Sequence, residues 1–170
     1  LQLFSMKKRC ILFDMDGVLI DSRPSMEIGW IEVCLQFNFS IPFSCYLEYV
    51  GMPFEDILSN LSIDKELHPA IKHLYGISVI QNHHHIKLYR GIKSLLKQLT
   101  KSDKAIGIVT SKEFWRAEII IDHFQLPSNI LITPEHVLNG KPNPEPILKA
   151  MANLGVSRQE TLYIGDMQSD

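Results

Sequence analysis

Two carboxylates stand two residues apart in Phe13-Asp14-Met15-Asp16-Gly17, directly after the apolar run Cys10-Ile11-Leu12-Phe13. Burying one unpaired carboxylate is costly or forces it to take a proton, and two side by side cost more. A hard divalent cation is the usual remedy. Mg²⁺ in particular accepts a few carboxylates and completes its shell with waters and phosphate oxygens. The plain alternative is a turn in which Asp plays an Asx role before Gly. Other polar groups fall at the ends of apolar runs. Thr110-Ser111-Lys112 follows Ala105–Val109, and Gly165-Asp166 follows residues 162–164, with Asp170 four positions on. Lys141, in Asn139-Gly140-Lys141-Pro142-Asn143-Pro144, precedes a helical stretch. Taken singly, the threonine reads as a cap, the lysine as a solvated cation and the acidic pair as a loop cap. Ligands of open α/β sheets bind at the carboxyl ends of the strands, so parallel strands would gather all of these in one crevice.

The elements that must position them follow from the hydrophobic pattern. The runs Cys10–Phe13, Ala105–Val109, Ile130–Ile132 and 162–164 are continuous rather than alternating, as expected of strands covered on both faces. Phe114–Phe124 carries Ala117, Ile120, Ile121 and Phe124 on one stripe, and Glu145–Leu154 carries Ile147, Leu148, Met151 and Leu154. Ile92, Leu95, Leu96 and Leu99 make a further helical face before the second strand. Strand and helix alternate, which predicts an α/β fold with right-handed crossovers. Ser157 and Glu160 have the spacing of a capping box, with room for one turn. From Ser22 to Arg90 no strand is convincing. Helical patterns are expected there over 26–37, 54–61, 65–75 and 79–89, with turn residues at Ile41-Pro42, Gly51-Met52-Pro53, His68-Pro69 and Gly76. Residues 22–89 therefore read as a mostly helical insert.

The bulk numbers set bounds. The 170 residues suffice for one core or a core with a small insert, and 45% hydrophobic with 21% charged is an ordinary globular balance. A net charge of −2 gives no basic excess to point to nucleic acid or an anionic membrane, and no stretch approaches a membrane span. Three scattered cysteines, Cys10, Cys34 and Cys45, suit a reducing, cytoplasmic setting and argue against zinc. Met6-Lys7-Lys8-Arg9 and the following apolar run do not make a signal peptide, because Asp14 and Asp16 cut the run short. Met6 is a candidate start of translation.

The motif Asp14-Met15-Asp16-Gly17-Val18-Leu19-Ile20-Asp21-Ser22, the strand-ending Thr110-Ser111, the Lys141-Pro142-Asn143-Pro144 stretch and Gly165-Asp166-Met167-Gln168-Ser169-Asp170 together resemble the four signature motifs of the haloacid dehalogenase superfamily. Their order and spacing are similar to its phosphatase branch, near phosphoglycolate phosphatase and β-phosphoglucomutase. The resemblance implies a Rossmann-like core from residues 1–21 and 90–170, with residues 22–89 as a helical cap inserted after the first strand. It implies a Mg²⁺-dependent phosphatase acting on a small phosphorylated metabolite, with Asp14 as nucleophile and Asp16 as general acid and then base. Thr110 and Lys141 would complete the catalytic set. The ion would sit among Asp14, the Asp16 backbone carbonyl, Asp166 and, as an outer or weaker ligand, Asp170. Dehalogenation fits poorly, since that branch lacks a second acid like Asp16 and needs no metal.

Ser111 and the loop residues Gly51 and Met52 are the expected substrate contacts. Met52 and Phe54 make that loop apolar, which argues against a highly charged leaving group; a plain helix-entry turn is the alternative. His83-His84-His85 reads as solvated surface, and Trp30 and Trp115 as packing. Relatives of this family continue past the last motif with a helix and a further strand, so the end at Asp170 suggests a truncated chain. Two other functions stay open: a β-phosphoglucomutase-like phosphosugar mutase, and a non-catalytic fragment serving as a binding or regulatory module.

Overall fold

A computed structural model describes residues 8–168 and 170 of the chain. The candidate start at Met6, and Ser169 in the final acidic stretch, lie outside the described residues. The chain runs through β1 (Cys10–Phe13) and β2 (Ile20–Asp21) into four helices, α1 (Arg23–Phe37), α2 (Phe43–Leu47), α3 (Phe54–Asn60) and α4 (His68–Gln81). It returns by β3 (Lys87–Leu88) and continues α5 (Ile92–Lys101), β4 (Ala105–Val109), α6 (Phe114–Phe124), β5 (Ile130–Ile132), α7 (Glu145–Leu154) and β6 (Thr161–Ile164).

β1 lies inside a parallel sheet of order β5-β4-β1-β6. Its four residues are all buried, as the unbroken apolar run requires. Successive side chains point to opposite faces. Ile11 and Phe13 join Ile106, Ile108, Leu96 and Ile120 in one core cluster. Cys10 and Leu12 join Val109, Ile132, Ala150 and Met151 in the other. Phe13 pairs with Ile108 of β4 and with Ile164 of β6, so the residues that follow all three strands leave from one edge. The chain steps from β1 outward to β4 and β5, then crosses back to β6 on the far side of β1. That reversal opens a crevice at the carboxyl ends, where such sheets take ligands.

The helices α1 to α4 build a separate apolar cluster around Trp30, Val33, Tyr46, Leu58, Ile71 and Val79. Trp30 is fully buried, and its indole N–H donates to the Ile41 carbonyl at 2.9 Å. Large apolar side chains buried to this degree contribute about 1.5–3 kcal/mol each. The chain enters and leaves this layer through β2 and β3, an antiparallel pair with Ile20 opposite Leu88 and Asp21 opposite Lys87.

Here the structure differs from the sequence reading. β3 lies in the stretch expected to hold no strand; at two residues it is too short to show a period. The patterns over 65–75 and 79–89 are not two helices divided at Gly76. A single helix, α4, runs through that glycine, and His68-Pro69 forms its first turn, where proline is tolerated. Gly76 answers a tertiary contact rather than a turn: a Cβ there would lie 3.3 Å from Trp115 Cζ2 of α6. Glycine there gives up about 1 kcal/mol of helix propensity relative to Ala and leaves Trp115 the space a Cβ would crowd. His83–His85 form a short 3₁₀ turn, with His84 and His85 exposed. No helix among the described residues is long and apolar enough to cross a membrane.

Candidate active site

Asp14 is the residue after β1, and its backbone N–H extends the sheet ladder by donating to the Ile164 carbonyl at 2.9 Å. Thr110, the residue after β4, does the same toward Ile132 at 3.0 Å. Both side chains are therefore fixed by sheet register rather than by loop packing. Met15 turns into the core between Asp14 and Asp16 and is fully buried. The next residue after Asp16 must be glycine. Gly17 has φ +79°, and a Cβ there would fall 2.0 Å from an oxygen of Asp166.

These residues line a cleft of about 800 Å³ between the sheet edge and the helices α2 to α4. Asp14, Asp16, Thr110 and Lys141 all face it, as do the expected metal ligands Asp166 and Asp170. Ser111 lines it from the core side, and Gly51 and Met52 from the helical side. All of the residues expected from the sequence to act on substrate or metal thus line one cavity.

Lys141 is not the solvated cation that its neighbourhood in sequence suggests. It is buried, and its ammonium donates to Asp14 Oδ1 at 2.7 Å, Asp170 Oδ1 at 2.5 Å and the Tyr163 hydroxyl at 3.1 Å. Burial alone would lower its pKa, but Asp14, Tyr163 and Asp170 raise it, so it stays charged. Burial pushes the Asp14 carboxyl up to about 7, against the pull of Lys141 and with the help of Asp16. Asp170 is held by four donors. Lys141 and Tyr163 reach one oxygen, while the N–H groups of Asp166 and Met167 reach the other at 3.0 and 2.9 Å. Despite burial, these bonds hold its carboxyl below the usual range.

Oxygens of Asp14, Asp166 and Asp170 lie within 4.8 Å of one another. Lys141 answers Asp14 and Asp170 and leaves Asp166 without an ion pair among the described residues. Burial, then Asp170, raises the Asp166 pKa. Three carboxylates against the one lysine leave a hard oxygen donor set short of two positive charges, which fits Mg²⁺.

Asp16 has a different environment. Its carboxylate receives the Ser22 hydroxyl at 2.5 Å and lies 3.1 Å from the Lys112 ammonium. Burial works against its charge, but Lys112 and Ser22 prevail and hold the group below the usual carboxylate range. The two acids of the motif are thus driven apart in proton affinity, the pattern that separates roles in acid–base sites.

The sequence reading assigned no role to Lys112, Tyr163 or Arg116. Lys112 was visible in the Thr110-Ser111-Lys112 run. Tyr163 sits in an apolar strand and gave no signal. Arg116 of α6 is buried and faces the same cleft, opposite Tyr75.

The chain matches the family model for haloacid dehalogenase-like hydrolases over residues 11–170. It is 28% identical to an N-acetylmuramic acid 6-phosphate phosphatase of Pseudomonas putida, covering 95% of this chain and 75% of that protein. It is 29% identical to the pyrophosphatase PpaX of Halalkalibacterium halodurans, covering 97% and 78%. Among solved structures, a Lactobacillus plantarum protein provisionally named a phosphoglycolate phosphatase superposes with a TM-score of 0.88 at 28% identity. That match covers 96% of this chain and 80% of that one.

Proposed function

The chain belongs to the haloacid dehalogenase-like hydrolase family, and we propose that it is a Mg²⁺-dependent phosphatase that hydrolyses a small phosphomonoester through an aspartyl-phosphate on Asp14. The observation that carries this reading is the Asp14 carboxylate itself. It stands at the end of a central strand, buried, bonded to Lys141 at 2.7 Å, with a second and a third carboxylate in reach of the same small volume.

The chemistry divides among the residues of this chain. Asp14 attacks phosphorus, forming an O–P bond as the ester O–P bond breaks, and water later cleaves the acyl phosphate. Asp14, Asp166 and the Asp16 carbonyl would hold Mg²⁺, which when bound neutralises phosphoryl charge and orients the group for in-line attack. Asp170, saturated by four protein donors, acts as the brace that fixes Lys141 and the 166–167 backbone rather than as a principal ligand. Thr110 and Lys141 donate to the phosphoryl oxygens, where transition-state charge sits. Neither Met15 nor Ser111 commits its backbone N–H to another protein group among the described residues, which leaves two further donors. Asp16 is ionised at rest, so its base function toward water is ready. Its acid function toward the leaving oxygen requires a proton, and the anionic phosphoryl group arriving beside it raises its proton affinity in that sense.

The helical layer 22–89, entered and left through the paired β2 and β3, serves as the cap over this cleft. The three free thiols suit a reducing, cytoplasmic setting.

Hydrolysis of p-nitrophenyl phosphate with Mg²⁺ tests the proposal. Asp14→Asn should abolish turnover and phosphoenzyme formation, because an amide does not replace the nucleophile. Turnover by that variant near the wild-type rate would refute the assignment.

A further inference from the structure

Arg116 is the one buried cation at the cleft, among the described residues, that no carboxylate satisfies. It projects from α6, in the wall opposite α4. Its Nε is sealed from solvent and has no hydrogen-bond partner among the described residues. The one carboxylate oxygen within ion-pair range, Glu113 Oε2, is 4.0 Å from its terminal nitrogen, too far for a hydrogen bond. The guanidinium carbon lies 5.4 Å from the Tyr75 ring centroid, so the aromatic side chain holds the fork in place, and a neutral phenol supplies no counter-charge. A buried donor without a partner is costly. Nε is closed to solvent and ligand alike, so what a ligand can reach is the part of the side chain that lines the cleft.

Arg23 also lines the cleft, but it is exposed to solvent and lies 3.9 Å from Asp21, so it carries no buried charge in need of a partner. The three lysines of the cleft are already engaged. Lys141 is bound to Asp14 and Asp170, and Lys112 to Asp16. Lys72 is 2.8 Å from Glu55 and 3.6 Å from Glu113. The anionic acceptor for Arg116 must therefore come from the substrate.

Charge decides what kind of acceptor. Around Arg116 the two cations Arg116 and Lys72 face the two carboxylates Glu113 and Glu55, so this end of the cleft is neutral before anything binds. A second phosphate, carrying close to two negative charges, would meet those carboxylates behind the arginine. A single negative charge on a planar group matches the guanidinium fork without that repulsion. The apolar lining from Met52, Phe54 and Ile57 on the helical side suits a compact organic body carrying one such group.

Resting on the phosphatase reading, we infer that Arg116 docks a carboxylate borne by the leaving group, so that the preferred substrates are phosphomonoesters of acids. The geometry extends the sequence expectation of an apolar loop: Met52 and Phe54 line the helical side beside the self-paired Lys72 and Glu55, and Arg116 stands on the core side.

Matched substrate pairs test this in the wild-type chain. N-acetylmuramic acid 6-phosphate and N-acetylglucosamine 6-phosphate share the reacting ester and differ by a distant carboxylate-bearing ether. Phosphoglycolate and 2-hydroxyethyl phosphate form a shorter pair. The wild type should prefer the acid in at least one pair by roughly tenfold to a hundredfold in kcat/KM, the size of a charged hydrogen-bond pair. In Arg116→Met that ratio should collapse toward one, and Arg116→Lys should keep part of it, with folding checked by circular dichroism. Should Arg116→Met fail to fold, the Arg116→Lys ratio decides, since an ammonium cannot reproduce the fork. Hydrolysis of both members of each pair with no tenfold preference overturns the carboxylate assignment and leaves the phosphatase standing. A wild-type ratio retained in Arg116→Met also overturns it, as does pyrophosphate proving a better substrate than every acid. Hydrolysis of no ester in the presence of Mg²⁺ overturns both readings together.

Discussion

Replacing Lys141 by Met keeps most of the buried stem and removes the charge that bridges two of three neighbouring acids, Asp14 and Asp170. The oxygens of Asp14, Asp166 and Asp170 lie within 4.8 Å of one another. At that spacing, with an effective dielectric constant near 20, each ionised pair repels by roughly 3–4 kcal/mol. Breaking a buried pair by deleting one partner costs about 3–5 kcal/mol. The loss must depend on pH, and its sign follows from Asp14. With Lys141 present the folded-state pKa is about 7, against an ordinary 3.8. A carboxyl raised in the folded state lowers stability as pH climbs from its unfolded to its folded pKa, because the unfolded chain gives up its proton first. Without Lys141 the folded pKa rises further, and the window of loss extends above 7. Urea titrations in EDTA should therefore show Lys141→Met destabilised by about 3–5 kcal/mol at pH 8.5. At pH 5, where Asp14 is protonated with or without the lysine, the deficit should shrink by at least about 1.4 kcal/mol, the equivalent of one pKa unit. Turnover with Mg²⁺ should fall by roughly a hundredfold or more. An equal deficit at both pH values would mean that the lysine matters for packing and that the charge argument is wrong.

Gly17→Ala would place a methyl group 2.0 to 2.7 Å from the three carboxylate atoms of Asp166, at φ +79°. The backbone strain costs about 1–2 kcal/mol, and Asp166 must rotate away. Calorimetry should then show Mg²⁺ affinity lowered by roughly tenfold or more; unchanged affinity would exclude Asp166 from the metal site. Because Asp14 carries a proton below about 7, wild-type Mg²⁺ affinity should fall by about tenfold per pH unit beneath that point, with one proton released per ion bound. A flat profile from pH 5 to 8 would show that Asp14 is already ionised.

The sheet was legible because its central strands β1 and β4 are buried on both faces and the edge strands β5 and β6 are still apolar runs. An unbroken run such as Cys10–Phe13, stopped by Asp and Gly, is too short for a buried helix and too continuous for a surface strand. β4, β5, α6 and α7 match their expected bounds. The helical layer was less legible for a physical reason. Its boundaries are set by contacts between layers, which a periodicity in one segment does not record. Gly76 looked like a break because glycine is a poor helix former. Its place inside α4 follows from Trp115, which is distant in sequence and packs beside it.

The same distinction governs the site. Asp14, Thr110 and Asp166 could be found in the sequence because a strand end fixes both their position and their direction, and strand ends are marked by where apolar runs stop. Lys141 was visible only as part of a motif; nothing in Asn139-Gly140-Lys141-Pro142 announces a buried ammonium with three oxygen partners. Arg116 had still less to mark it. On α6 it occupies one position beside an apolar stripe, where an arginine ordinarily reaches water along the helix surface. It faces inward because α4 closes over it, with Tyr75 against its guanidinium and Gly76 allowing the close approach. Asp14, Thr110 and Asp166, the strand-end members of the proposed phosphoryl site, are therefore readable from one strand at a time, and the loop residue Lys141 is not. Residues that choose the leaving group arise where the two layers meet, and they become readable only when both layers are in place.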